Sequence, residues 1–555
     1  MAGGLLNIIS IGNNNVILTG NPTKTFFKAV YSKYTNFGLQ KFRIDYEGIR
    51  NLRLTEPSTF TFKVPRYAEL LMDTYIVITL PNIWSPIYHP YERNDNQWSP
   101  YEFSWIRDLG TMMIKEIVIT CGSQTIQKYT GDYLAAMVER DFSSEKKDLF
   151  NRMTGNIPDL YDPGNSDTRI NSYPNAFVNL NPDGSLNANG AEPSIRGRNL
   201  YIPINTWFTL ESRCAFPLIS LQYNELYINV TFRPIQELFQ VRDITDPVNY
   251  FPFIQPDFNQ SEFQMYRFLQ TPPAEVIDTA GYQDYGNMIT NWNADIHLIS
   301  TYCFLSKDES ILFASEEQLY LVKDVFHYKF DNIAGSQRVD LTSSGMIANW
   351  MFYFQRNDVN LRNEWSNYTN WAYRNIPSDV TFAPSEGGMQ LGYGPGINPD
   401  GSPTGIYWSG TFNADNQKEI LQTLGILLNG DYRENTLESG IFNYVEKYTR
   451  TQSSAKDGLY CYNFCLNTNP FDYQPSGSIN MSKFKDIQLE FTTYLPTIDY
   501  TNSSFKIICD GTGNIIGINK QNWRLFEYNY NLTVFEERYN ILSFISGNCG
   551  MLLQR

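Results

Sequence analysis

Histidine is scarce in this chain: three in 555 residues, at His89, His297 and His327. No two of them fall at ligand spacing on one element, so the paired histidines of a cupin-type metal centre are missing. Charge is also thin. Charged residues make up 18%, with 43 Lys and Arg against 58 Asp and Glu, a net charge of −15. Basic residues do not cluster, and Lys146-Lys147 stand between Glu145 and Asp148 as a mixed helix face. Direct nucleic-acid binding is therefore not expected. The seven cysteines are odd in number and widely spaced, with no C-x-x-C pair. Cys461 and Cys465 on a strand would lie roughly 13 Å apart, too far for a disulfide or a shared metal. Buried, reduced thiols are the expectation. No apolar run approaches 18 residues, and no basic segment precedes Leu5–Ile9. The chain is expected to be soluble, made in a cytosol, and without a signal peptide or membrane helix.

Catalytic signatures are lacking as well. There is no Gly-x-Ser-x-Gly elbow and no phosphate-binding loop. The glycine-rich Gly392–Gly396 contains Pro395 and reads as a surface loop, and the pairs Asp45/Glu47 and Asp308/Glu309 have no framing motif. The expectation is no catalytic residue, no cofactor, no metal and no enzyme. What is abundant is aromatic: 36 Phe, 38 Tyr and 10 Trp, 15% of the chain. That much apolar surface excludes disorder, and the length points to two domains.

Period-two alternation is the dominant local pattern. In Glu225–Arg233, Leu226, Ile228, Val230 and Phe232 share one face, and in Ile487–Phe491 the apolar residues alternate with Gln488 and Glu490. Further strands are expected at Thr25–Val30, Lys41–Tyr46, Thr59–Val64, Thr74–Leu80, Lys115–Cys121, Asp295–Phe304, Gln318–Phe326, Asn349–Gln355, Tyr460–Leu466 and Ser504–Asp510. Short helices are expected at Tyr133–Arg140, at Ser144–Met153 capped by Ser143 or Ser144, after a capping box at Ser306–Glu309, and at Asn416–Leu424. Long polar loops at Asn156–Asn199 and Ser378–Gly410 share the pentapeptide Asn-Pro-Asp-Gly-Ser, at 181–185 and 398–402. Val241–Asn291 reads as a connection between two β-rich blocks. About eight short antiparallel strands per block suggest sandwiches of the jelly-roll type.

Several motifs then carry a family resemblance. Met1–Leu6, Gly20–Tyr31 and Tyr34–Phe37 are similar to the opening of the major capsid proteins of nucleocytoplasmic large DNA viruses. Asp295–Glu309 resembles the first strand and turn of that family's second domain. Leu428–Gly430 with Arg433-Glu434, then Tyr462–Asn467 with Gln474–Ser482, and finally Tyr539–Gly547 keep the family's order to the end of the chain. The details are most similar to the mimivirus-like branch. The resemblance implies an all-β double jelly roll, two consecutive eight-stranded antiparallel jelly rolls with short helices in the loops. It implies an arm at 1–24, a first roll at 25–240, a connection at 241–290 and a second roll at 291–555. It also implies a pseudo-hexagonal homotrimer, assembled in host cytoplasm into an icosahedral shell around an internal membrane. The implied partners are neighbouring capsomers, minor capsid and penton proteins, and an inner-membrane-associated layer. The connection 241–291 and the region Thr501–Glu537 are longer than in compact relatives.

Six Asn-x-Ser/Thr sequons occur, at Asn229, Asn259, Asn367, Asn480, Asn502 and Asn531. Asn229 lies inside the clearest strand, so the candidate glycosylation sites are Asn259, Asn367, Asn502 and Asn531. Trp350–Phe354 and Trp365–Tyr373 read either as core or as trimer contacts. The alternatives to a capsid role are a carbohydrate-binding or carbohydrate-processing sandwich, with Trp365, Trp371 and Trp408 as stacking platforms, and a minor paralogue of the capsid protein.

Overall fold

The computed structural model describes residues 3–48, 51–85, 87–88, 99–100, 102–169, 173–174, 176, 192–243, 252–260, 263–271, 285, 287–373, 394–397, 403–408, 418–496, 505–520 and 528–553. Sixteen strands build its frame. The first eight are β1 (Phe37–Asp45), β2 (Ser58–Lys63), β3 (Leu70–Thr79), β4 (Ile114–Cys121), β5 (Gln124–Tyr129), β6 (Asn199–Pro203), β7 (Leu226–Phe232) and β8 (His297–Leu305). The second eight are β9 (Gln318–Ile333), β10 (Ser336–Asp340), β11 (Met346–Arg356), β12 (Leu421–Leu428), β13 (Asp431–Glu438), β14 (Leu459–Asn463), β15 (Ile487–Thr493) and β16 (Tyr530–Ile545). Helices α1 (Gly131–Asp141) and α2 (Ser144–Thr154) lie in the β5–β6 connection.

The two sets pair identically. The first forms sheets in the order β1-β8-β3-β6 and β2-β7-β4-β5, and the second β9-β16-β11-β14 and β10-β15-β12-β13. Every pairing is antiparallel. Each set is therefore an eight-stranded jelly roll, and the chain is a double jelly roll. Alternation sets the faces: β7 and β15 both bury every second residue. Asn429 and Gly430, both at positive φ, supply the tight β12–β13 hairpin.

Strand β8 differs from the sequence expectation. His297–Leu305 hydrogen-bonds between β1 and β3, so it completes the first roll rather than opening the second. The stretch 241–290 is thus the β7–β8 excursion within the first roll. The rolls are joined instead by helix α3 (Lys307–Ser315). Ser306 stands at its N-cap, but its side chain makes no capping hydrogen bond. The stretch 501–529 is the equivalent β15–β16 excursion, because β16 begins at Tyr530 and not after Glu537. Of the helix expected at Asn416–Leu424, residues 416–417 lie outside the described residues, and Leu421 onward forms β12 between β13 and β15 instead. Its spacing of apolar residues fits either period, and pairing with β15 decides it. Thr25–Val30 forms no strand and has no partner sheet, with Phe27 98% exposed.

Two apolar clusters hold the molecule. One fills the second roll, with Phe352, Phe354, Leu424, Ile426, Leu428, Leu489, Phe491, Leu532 and Val534. The other fills the first roll and continues across to the outer face of the second roll's β9-β16-β11-β14 sheet, taking in Tyr353, Cys461 and Phe535. Strands β11 and β14 of that sheet are buried on both faces, which suits their run of apolar and aromatic residues, whereas the edge strand β9 is exposed along much of its length. Trp350–Phe354 is part of this core.

Candidate functional site

The chemistry-bearing groups gather at the joint between the rolls. Helix α1, directly after β5, is capped by Thr130, whose hydroxyl accepts from Tyr133 N. Its last turn delivers Arg140 and Asp141 against the second roll. Arg140 is 1% exposed. Its guanidinium donates to Asp141 Oδ2 at 2.6 Å, Glu537 Oε1 at 2.9 Å and Asn349 Oδ1 at 2.7 Å. Tyr133 OH donates to Glu537 Oε1 at 2.8 Å, and Asn349 Nδ2 to Glu537 Oε2 at 2.9 Å. Thr468 Oγ1 donates to Asp141 Oδ1 at 2.5 Å. Burial alone would raise the Glu537 carboxyl, but Arg140, then Lys323 and the hydrogen bonds from Asn349 and Tyr133, outweigh it and hold it at about 2. For Asp141 burial wins over Arg140, and its carboxyl sits above the ordinary value.

The neighbouring Glu536 points the other way, into the second roll. It accepts from Trp350 Nε1 at 2.8 Å, Ser343 Oγ at 2.6 Å and Arg538 Nε at 2.5 Å. Neither network was anticipated from the sequence. Glu536-Glu537-Arg538 inside an apolar strand was the available signal, since charges are buried only when paired.

Beside the joint opens a cleft lined by Tyr129, Trp207, Glu211, Lys323, Tyr473 and Tyr539 among others, with no histidine in its lining. Among the described residues no three metal-ligating side chains converge. His297 Nδ1 lies 2.6 Å from Asp295 O, and His327 stacks on Phe535, while His89 lies outside the described residues.

The two rolls stand side by side with matched ends. In an antiparallel roll, the connections β1–β2, β3–β4, β5–β6 and β7–β8 all leave one end. Asn156–Asn199 is in the β5–β6 connection and Ser378–Gly410 in β11–β12, the equivalent of β3–β4. The pentapeptides 181–185 and 398–402 are outside the described residues. The loop ends meet directly: Asn363 Nδ2 donates to Gln236 O and Phe239 O, both at 2.8 Å, and Trp365 Nε1 to Glu237 O at 2.9 Å. At the opposite end Gln222 N donates to Gly547 O at 3.0 Å. Trp365 is therefore held within the chain, with Arg233 over its ring, and Lys418 lies over Trp371. Neither is a free sugar platform, and the side chain of Trp408 is outside the described residues.

The sequons separate by burial. Asn367 is 1% exposed, and its amide is occupied by Trp371 O and Thr369, so it is not an acceptor site in the folded chain. Asn259 is exposed. Asn531 is half-buried on β16 and accepts from Asn332 N, and Asn502 lies outside the described residues.

Residues 3–36 form an arm with short helices at Gly3–Ile9 and Val16–Thr19, every residue of it exposed. It starts from the end of the first roll opposite the long loops, where Phe37 pairs with Leu305.

Two rolls of identical strand order in one chain, tied by a buried polar joint, define the double jelly-roll class. The comparisons agree. A model described as major capsid protein N-terminus matches residues 25–266, and one described as large eukaryotic DNA virus major capsid protein matches 309–550. The chain belongs to this family, the major capsid proteins of large eukaryotic DNA viruses, and is a virion capsid component. It is 24% identical to the major capsid protein of Phaeocystis pouchetii virus, over 91% of this chain and 95% of that one. It is 22% identical to the "Probable capsid protein 4" of Acanthamoeba polyphaga mimivirus, over 88% and 92%. A quasi-atomic model of the PBCV-1 virus capsid superposes with TM-score 0.59 at 18% identity, covering 96% of this chain and 100% of that one. The Faustovirus major capsid protein gives 0.59 at 11% identity, covering 98% and 99%.

Proposed function

We propose that the protein builds an icosahedral shell as a homotrimer of pseudo-hexagonal outline. The observation that carries this is the identical strand order of the two rolls, set side by side with matched ends. Three such chains present six similar wedges, a unit that tiles a flat face through near-equivalent contacts with neighbouring capsomers. The long loops form the outer end, with Asn259, Asn502 and Asn531 as glycan candidates. The chain is proposed to divide into the arm, a first roll ending at Leu305 and a second beginning at Gln318.

The arm supports an inner-side role. Leu5, Leu6, Ile8, Ile9, Ile17, Phe26 and Phe27 are all exposed on it, so it has apolar surface to give to another molecule. Its proposed partners are minor capsid and penton proteins and the inner-membrane-associated layer. Assembly is proposed in host cytoplasm, with structural and not catalytic work. Light scattering tests the central claim: a particle of three times 64.1 kDa is expected at micromolar concentration, and a stable monomer overturns it. Copy number in purified virions separates a major from a minor role.

A further inference from the structure

Cys121 and Cys549 come from different rolls and from opposite ends of the sequence, yet they meet. Cys121 ends β4 and is 1% exposed, and Cys549, 8% exposed, sits on the closing strand Asn548–Met551 that pairs with the end of β16. Both belong to the same apolar cluster, and their thiols are within hydrogen-bonding distance of each other. Their surroundings fix this contact. The turn before Cys549 is clamped on the first roll by Gln222 N and Tyr223 N donating to Gly547 O, at 3.0 and 3.3 Å, and by Asn224 Nδ2 donating to Asn548 Oδ1 at 3.4 Å. A Cβ on Gly550 would lie 3.7 Å from Gln124 Oε1, so the closing strand lies along the start of β5. Among the described residues no cysteine is in a disulfide.

We propose that Cys121 and Cys549 are an oxidative cross-linking site that staples the closing strand of the second roll to the first after the protein leaves a reducing compartment. The oxidant class is a hydroperoxide, small enough to reach a nearly closed site. The Cys121 sulfur attacks one peroxide oxygen. An S–O bond forms, the O–O bond breaks, and water leaves with the thiol proton. The Cys549 sulfur then attacks the sulfenic sulfur. The S–S bond forms, the S–O bond breaks, and a second water leaves. Two thiols are oxidised and one hydrogen peroxide is reduced to two waters. The shared proton supports this order of events, because the Cys549 thiol donating to Cys121 lowers Cys121 and raises Cys549. The cross-link closes a loop of roughly 430 residues, a class in which disulfides restrict the unfolded chain most.

The test is peptide mapping of the purified full-length protein under non-reducing conditions, before and after hydrogen peroxide. A Cys121–Cys549 linked peptide is expected, two mass units below the sum of its thiol forms. It should vanish in Cys549→Ser. Peroxide should raise the thermal midpoint of the wild type and leave that of Cys549→Ser unchanged, with the two reduced proteins melting alike. Cys121→Ala serves as the second variant and should behave as Cys549→Ser does. Separate overoxidation of the two cysteines, or linkage to any other cysteine in their place, overturns the proposal.

Discussion

At the scale of single residues, the joint concentrates what sequence alone hid. Arg140 was legible as a residue of a helix, and Glu537 as a charge in an apolar strand. Their pairing across almost four hundred residues was not, because no local pattern encodes a long-range contact. Removing Arg140 leaves Glu537 and Asp141 buried without their counter-charge. Arg140→Ala should cost about 3–5 kcal/mol in denaturant unfolding. The acid response follows from Glu537. Its folded value of about 2 lies below its ordinary 4.5, so its contribution is complete above pH 4.5 and is lost as pH falls toward 2. On its own this amounts to roughly 3 kcal/mol. Asp141, held above its ordinary value, runs in the opposite sense and offsets part of it. Glu537→Gln should flatten the fall in stability across that window, read as denaturation midpoint against pH. An unchanged slope would contradict the assigned cause.

At the scale of elements, strands with one solvent face were the legible ones. Leu226–Phe232 and Ile487–Thr493 match their expected alternation. The helices at Gly131–Asp141 and Ser144–Thr154 followed their apolar spacing and caps, with Ser143 Oγ accepting from Lys146 N. Strands without such a signature were missed. Asp431–Glu438 is mostly exposed and polar, and Asn199–Pro203 is short and ends in proline. Helix α1 carries a sharp test of its seating. A Cβ on Gly131 would stand 1.9 Å from Thr111 O and 2.4 Å from Ile114 O, both backbone atoms that cannot swing aside. Gly131→Ala should therefore destabilise by at least ~3 kcal/mol or abolish soluble expression, whereas Gly430→Asn, at positive φ with nothing within 4 Å, should be tolerated. Thermal unfolding of the two variants side by side makes the comparison.

At the scale of the whole molecule, two β-rich blocks were visible in the sequence, but the strand that closes the first was read as opening the second. Strand β8 follows a long excursion, and only its pairing with β1 and β3 reveals which roll it completes. The family motifs supplied what periodicity could not, namely that the repeat serves a shell. The net charge of −15 leaves out the arm: no Asp or Glu precedes Asp45, while Lys24, Lys28 and Lys33 stand among exposed aromatics. An arm that buries nothing in its own chain adds nothing to folding stability. Deleting residues 1–24 should leave the thermal midpoint unchanged and stop complete shells from forming, as scored by electron microscopy of assembled particles. The central claim is that two equivalent rolls per chain make a six-lobed capsomer, and images of the purified protein down its symmetry axis test it most directly. A three-fold particle with six similar lobes and the long loops clustered at one end is expected. A particle with two or four chains, or three lobes with no second set, would contradict it.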